Sequence, residues 1–163
     1  MPAAAPVPRR PSIHTLYSEA DLLTGPGCPV CGYTAEARGR YLDWFALEGH
    51  GDPDVITRLS ASLGWCPGHT RDVMSQPGAA TRLTAVYRYL VEGAREKLQA
   101  RKPRIAACPA CVHDRAVADR ALDAVLAGLT DTATRERYLA TGGLCVPHLQ
   151  DARRARRHRQ AAA

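Results

Sequence analysis

Large apolar anchors are scarce in this 163-residue chain: it has one Phe, two Trp and six Tyr, and much of its 45% apolar content is Ala. A core built from so few bulky side chains is thin per residue, so any staple holding the chain together gains weight. No run approaches the roughly 18 apolar residues of a membrane-spanning helix, which argues against membrane contact. The stretch from Met1 to Pro11 is rich in Ala and Pro and lacks the apolar core of a secretory signal, so the expected compartment is the cytoplasm. A phosphate-cradling glycine loop, a Ser/His/Asp order and paired carboxylates at helical spacing are all missing. No cysteine is left over as a nucleophile either, which makes an enzyme the minority reading.

What is present is a repeated metal-ligand pattern. Cys28-Pro29-Val30-Cys31 is followed by Cys66-Pro67-Gly68-His69, and Cys108-Pro109-Ala110-Cys111 by Cys145-Val146-Pro147-His148, which accounts for all six cysteines. Each half thus offers three thiolates and one imidazole, the complement of a closed tetrahedral zinc site. The expected metal ligands are Cys28, Cys31, Cys66, His69, Cys108, Cys111, Cys145 and His148, holding two zinc ions per chain. Cys3His with no fifth ligand suits zinc better than an iron–sulfur cluster. Ligand spacing in a chain without an export signal also suits a reducing cytoplasm better than a disulfide framework. Pairing within each half is the simplest expectation. A two-fold arrangement of the halves would instead let Cys28 and Cys31 share an ion with Cys145 and His148.

The local chemistry of these motifs is that of helix starts. In Cys-Pro the proline suits the first helical position, leaving the cysteine at the cap, where free N–H groups and the helix dipole favour thiolate. In Cys145-Val146-Pro147-His148 the proline is shifted by one residue, so a different helix start is expected there.

The spacing predicts an all-α chain. A helix is expected from about Thr34 to Glu48, a shorter one capped by Asp52 and stopped by Gly64, and their counterparts from Val112 to Ala127 and from Asp131 to Gly142-Gly143. Leu42-Asp43 and Leu122-Asp123 each lie eleven residues beyond a CxxC motif, and the gaps to the next cysteine are 34 and 33 residues. Between the halves, Leu83, Val86, Tyr87, Leu90, Val91, Ala94 and Leu98 mark one stripe of a long helix over residues 79–102. The fold expected is two zinc-pinned helical pseudo-repeats packed on that central helix. The segments are a disordered arm over 1–11, a first repeat over 12–78, the helix, a second repeat over 103–150 and a basic tail over 151–163. Ser12 is placed to cap a short helix over 12–24, and Lys102-Pro103-Arg104 reads as the linker.

Four histidines lie outside the motifs: His14, His50, His113 and His158. His113 could compete as a ligand but reads as a partly exposed helix residue, and His50 has no catalytic companion nearby. Asp43 and Asp123, at matching positions, could orient His69 and His148, with ion pairs to arginine as the plainer role. The formal charge of +6 is concentrated in Arg153, Arg154, Arg156, Arg157 and Arg159. They could neutralise phosphates, so nucleic acid is a candidate beside a protein partner, although no aromatic platform for single strands accompanies them.

With Gly64 and Gly143 placed two residues before Cys66 and Cys145, the chain resembles an uncharacterised family of bacterial helical proteins. Its members carry Cys-Pro-x-Cys followed by Gly-x-Cys-x-x-His twice per chain, and the resemblance covers about residues 12–150. It implies the architecture and supplies no activity. The expected function is a non-catalytic zinc-binding or regulatory module. The alternatives are a metal-dependent enzyme or enzyme accessory protein, and a zinc–thiolate redox switch.

Overall fold

The computed structural model describes residues 22–101 and 104–161, the side chains of 158–161 excepted. The expected arm over 1–11, nearly all of the helix over 12–24, His14, Lys102-Pro103 and the side chains of His158 and Arg159 lie outside the described residues. Those described form seven α-helices and no strand: α1 (Pro29–Leu47), α2 (Pro53–Ser62), α3 (Pro67–Met74), α4 (Ala79–Gln99), α5 (Pro109–Gly128), α6 (Thr132–Ala140) and α7 (Val146–Ala161). A 3-10 turn, Gly49–Gly51, precedes α2. No described helix is long and apolar enough to cross a membrane.

The helix boundaries follow local chemistry. Asp52 caps α2, its carboxylate accepting the Asp54 and Val55 N–H groups, and Asp131 caps α6 by accepting the Thr134 N–H. At the end of α2 the chain turns through Leu63 (φ 59°) and Gly64 (φ 96°), and the Gly64 N–H returns 2.8 Å to the Leu59 carbonyl. All four ligand motifs open helices. α1, α3 and α5 start at the proline after Cys28, Cys66 and Cys108. α7 starts at Val146, so the shifted proline does not move the start relative to Cys145. Proline is tolerated in the second helical position for the same reason as in the first, since neither N–H has an intrahelical acceptor.

The chain divides into two compact units, one spanning Val30–Asp123 and the other combining the residues up to Pro29 with those from Ala124 onward. In the first unit, Leu42 and Phe45 of α1, Val55 and Leu59 of α2, Val73 of α3, and Ala79, Leu83, Val86 and Leu90 of α4 form one core. Cys108 and Ala110 belong to it, and Tyr41, Trp65 and Cys66 pack against it. The long helix α4 packs on α2, the 3-10 turn and α3. Its predicted stripe is divided: Leu83, Val86 and Leu90 are buried, whereas Tyr87, Val91 and Leu98 stand exposed. Arg82 extends from α4 to the Ala46 carbonyl at the end of α1. In the second unit, Thr141 is buried, donating its hydroxyl to the Tyr138 carbonyl and accepting the Gly143 N–H.

Candidate metal centres

The eight predicted ligands are brought together in two groups of four. Each group has three sulfurs and one imidazole nitrogen, all within 4.8 Å of one another. The grouping corrects the within-half expectation: Cys66 and His69 meet Cys108 and Cys111, and Cys28 and Cys31 meet Cys145 and His148. The backbone supplies the reason. The Ala106 N–H, two residues before Cys108, bonds to the Ala61 carbonyl at the end of α2, which also accepts from Lys97 Nζ at 2.7 Å. This brings the entry to one CxxC motif beside the loop that leads into Cys66. Likewise the Gly27 N–H, next to Cys28, bonds at 2.6 Å to the Thr141 carbonyl, just before the loop into Cys145.

The first centre, Cys66, His69, Cys108 and Cys111, lies within the unit that carries the core. His69 Nδ1 stands 3.2 Å from the Cys66 sulfur, 3.6 Å from that of Cys108 and 3.5 Å from that of Cys111, and the Cys66 and Cys111 sulfurs are 3.7 Å apart. Around a tetrahedral ion with Zn–S of about 2.3 Å and Zn–N of about 2.0–2.1 Å, donors sit roughly 3.8 Å apart for S···S and roughly 3.5 Å for S···N. The cluster has those dimensions. Its protein groups are already polarised. The His69 backbone N–H holds the Cys66 thiol down to about 7, while desolvation, with the neighbouring sulfurs of Cys66 and Cys108, pushes Cys111 up to about 12. One member of the set therefore ionises readily, and an arriving cation must displace the protons of others.

His69 is oriented from behind. With Nδ1 turned to the sulfurs, its Nε2 carries the hydrogen and donates to Asp114 Oδ2 at 3.1 Å, and the same oxygen accepts from Arg38 Nε at 2.7 Å. Asp114 lies one turn beyond Cys111 on α5, a spacing that could have revealed it in the sequence. The residue singled out by repeat symmetry, Asp43, is exposed instead, as is Asp123. His113 joins neither group. Its ring stacks on Tyr41 at 4.4 Å and 11°, and burial lowers its pKa. Burial likewise raises the Tyr41 phenol. His50 sits in the 3-10 turn, with Nδ1 buried and without a hydrogen-bond partner.

In the second centre, His148 Nδ1 stands 3.4 Å from the Cys28 sulfur and 3.2 Å from that of Cys145. Cys31 is one turn along α1 from Cys28. The loop into Cys145 passes through Gly142 and Gly143 at φ 88° and 81°, and the Leu144 N–H is held by the Tyr138 hydroxyl at 3.1 Å. Gly64 and Gly143 therefore serve the two motifs alike, turning the chain at positive φ two residues before the cysteine. None of the six cysteines is in a disulfide.

Beyond the ligands, Arg153, Arg154, Arg156 and Arg157 are exposed on α7, with Arg154 paired to Asp151 at 3.4 Å. Comparison with protein-family models, with curated proteins and with solved structures gives no match.

Proposed function

We propose that this chain is a zinc-binding, non-catalytic binding or regulatory module of the cytoplasm. In this reading it holds two zinc ions and presents α7 to an acidic partner. The observation that carries it is the pair of Cys3His groups with donor atoms within 4.8 Å of one another. Four donors around one small space suit a single ion, because a cluster of several irons would hold its terminal ligands further apart. Three soft thiolates and an imidazole favour zinc over cations that prefer oxygen. A full set of four protein donors leaves no open position for substrate, which favours a structural role over a catalytic one.

Protein purified without added metal should carry two zinc ions per chain by elemental analysis. Bound iron with a visible absorbance band would move the assignment to a cluster, and a metal-free folded protein would end it. The partner is a protein or nucleic acid met by the α7 arginines. Replacing Arg153, Arg154, Arg156 and Arg157 by Gln should flatten the slope of log K against log salt for duplex DNA by about 3.6 if each contacts one phosphate. Equal binding by both forms would exclude the tail as the contact.

A thiol-switch reading has one observation in its favour. The exposed Cys111 sulfur stands 3.7 Å from that of Cys66. Hydrogen peroxide could take two electrons from this pair of thiolates and, with two protons from solvent, form the disulfide and two waters, expelling the ion. Zinc release by stoichiometric peroxide, reversed by a thiol reductant, would support it.

A further inference from the structure

Helix α7 carries two neighbouring lines of side chains with different surroundings. Cys145 at its start, then His148, Ala152 and Ala155, recur every three or four residues on the covered side; Ala152 is buried and the others are half-buried. One position further round, Val146, Leu149, Arg153 and Arg156 repeat the same spacing, and all four are exposed. Val146 is 67% exposed and Leu149 40%. This second line is apolar over its first turn and cationic beyond it, and at 1.5 Å per residue it runs about 15 Å along the helix. Beside it, Gln150, Arg154 and Arg157 line one open depression together with Arg153 and Arg156. Arg154 is paired with Asp151 at 3.4 Å, whereas Arg153, Arg156 and Arg157 have no acidic partner among the described residues.

We propose that this exposed line is a docking seam for an acidic amphipathic helix of a partner protein. Two apolar side chains of the partner meet Val146 and Leu149, and its carboxylates meet Arg153, Arg156 and Arg157. The inference deepens the reading of α7 as the face met by an acidic partner, and rests on it. The order of residues decides among anionic partners. A duplex backbone rewards cations alone and gives Val146 and Leu149 nothing to pack on. A lipid surface takes up a helix whose apolar face runs along its length, and here the apolar character of the exposed line stops at Leu149. Side chains spaced three, four and three residues apart form the stripe that one helix presents to another. Guanidiniums pair with carboxylates through two parallel hydrogen bonds. The direction of the partner follows too. Carboxylates are favourable in the first turns of a helix, so an antiparallel partner sets its acidic N-terminal turns beside the arginines and its apolar residues beside Val146 and Leu149. So short a seam makes a weak and salt-sensitive contact.

The test selects peptides without presupposing their sequence. A displayed library of random helix-length peptides is panned at low salt against the full-length, zinc-loaded protein. Enriched peptides are then measured by fluorescence anisotropy, beside a mixed-sequence DNA duplex and vesicles of phosphatidylserine and phosphatidylcholine. The expected peptides carry Asp or Glu in the N-terminal half and two large apolar residues one turn apart in the C-terminal half. Val146→Ser with Leu149→Ser should weaken them about tenfold and leave duplex binding unchanged. Replacing Arg153, Arg156 and Arg157 by Gln should weaken them at least as much and remove the salt dependence. Zinc content and far-UV circular dichroism are read on each variant. If the serine pair loses zinc, Val146→Ala with Leu149→Ala is measured instead and should weaken the peptides to a lesser degree. No enriched peptide, enriched peptides without the acidic-then-apolar order, or binding indifferent to the apolar pair would overturn the proposal. Duplex or vesicle binding that needs the arginines, with no peptide binding, would overturn it as well but leave α7 as the contact for an anionic partner. Undiminished binding of every probe by the arginine variant would overturn the α7 reading itself.

Discussion

Phe45 is where the thin core and the first metal centre meet, and Phe45→Ala measures how strongly they depend on each other. The side chain is fully buried and packs edge to face on Trp65 with ring centroids 5.1 Å apart; Trp65 is the residue before Cys66. Truncation removes the ring's burial and leaves a cavity, which for a buried Phe costs about 3–5 kcal/mol. The loss of the aromatic pair is part of that figure. Domains of this size have about 5–15 kcal/mol in all, so the variant should sit near the threshold of stability. Zinc in large excess over its dissociation constant acts in the other direction, adding about 4 kcal/mol at a thousandfold excess through binding only the folded chain. The expected result is a cooperative but lowered melt with zinc present, shifted down by about 10–15 °C in far-UV circular dichroism. With chelator added, the same variant should lose most of its helix at room temperature, while the parent loses less. Phe45→Ala melting within about 3 °C of the parent in zinc, a shift worth only about 1 kcal/mol, would refute the core assignment. Equal zinc-dependence in parent and variant would refute the link between core and centre.

Two further outcomes follow from the backbone turns and caps. Gly143→Ala places a Cβ 3.2 Å from the Tyr138 hydroxyl at a residue with φ 81°, so it should cost about 1–2 kcal/mol in strain and hasten zinc loss from the second centre, read by chelator competition. Asp131 titrates below its ordinary value of 3.8 because its carboxylate accepts the Thr134 N–H. Its folded pKa being the lower one, the cap's contribution is complete above the unfolded value and is lost as pH falls through the folded value. Asp131→Asn should accordingly flatten this part of the acid dependence of helicity, and an unchanged acid profile would show that the cap contributes nothing.

Local chemistry was readable from the residues because it acts over a few positions. Proline after cysteine marks helix starts, Asp52 and Asp131 are caps, and Gly64 and Gly143 precede the second dipod of each half; all of these are short-range signals. Ligand pairing is not. Each half contains one motif of each kind, and the choice between pairings is made by the Ala106–Ala61 and Gly27–Thr141 backbone bonds, which join residues far apart in the chain and involve no distinctive side chain. Repeat symmetry does not point to Asp114, because three residues beyond the second cysteine of the motif this carboxylate occurs in only one half, with Thr34 in the other. The α4 stripe is a related case. Apolar periodicity reports which residues can share a face, not how much of that face a neighbour covers: Val91 and Leu98 stand exposed although they lie on the stripe.

The central claim is the exchange of motifs between the halves, and counting bound zinc in two double variants by native mass spectrometry tests it most directly. Cys31→Ser with Cys145→Ser removes two ligands from one of the observed groups, whereas Cys31→Ser with Cys66→Ser removes one from each. The crossed arrangement predicts that the first variant keeps one fully coordinated zinc ion and the second keeps none. The opposite result, no ion in the first and one in the second, would show that each half binds its own metal and would contradict the account.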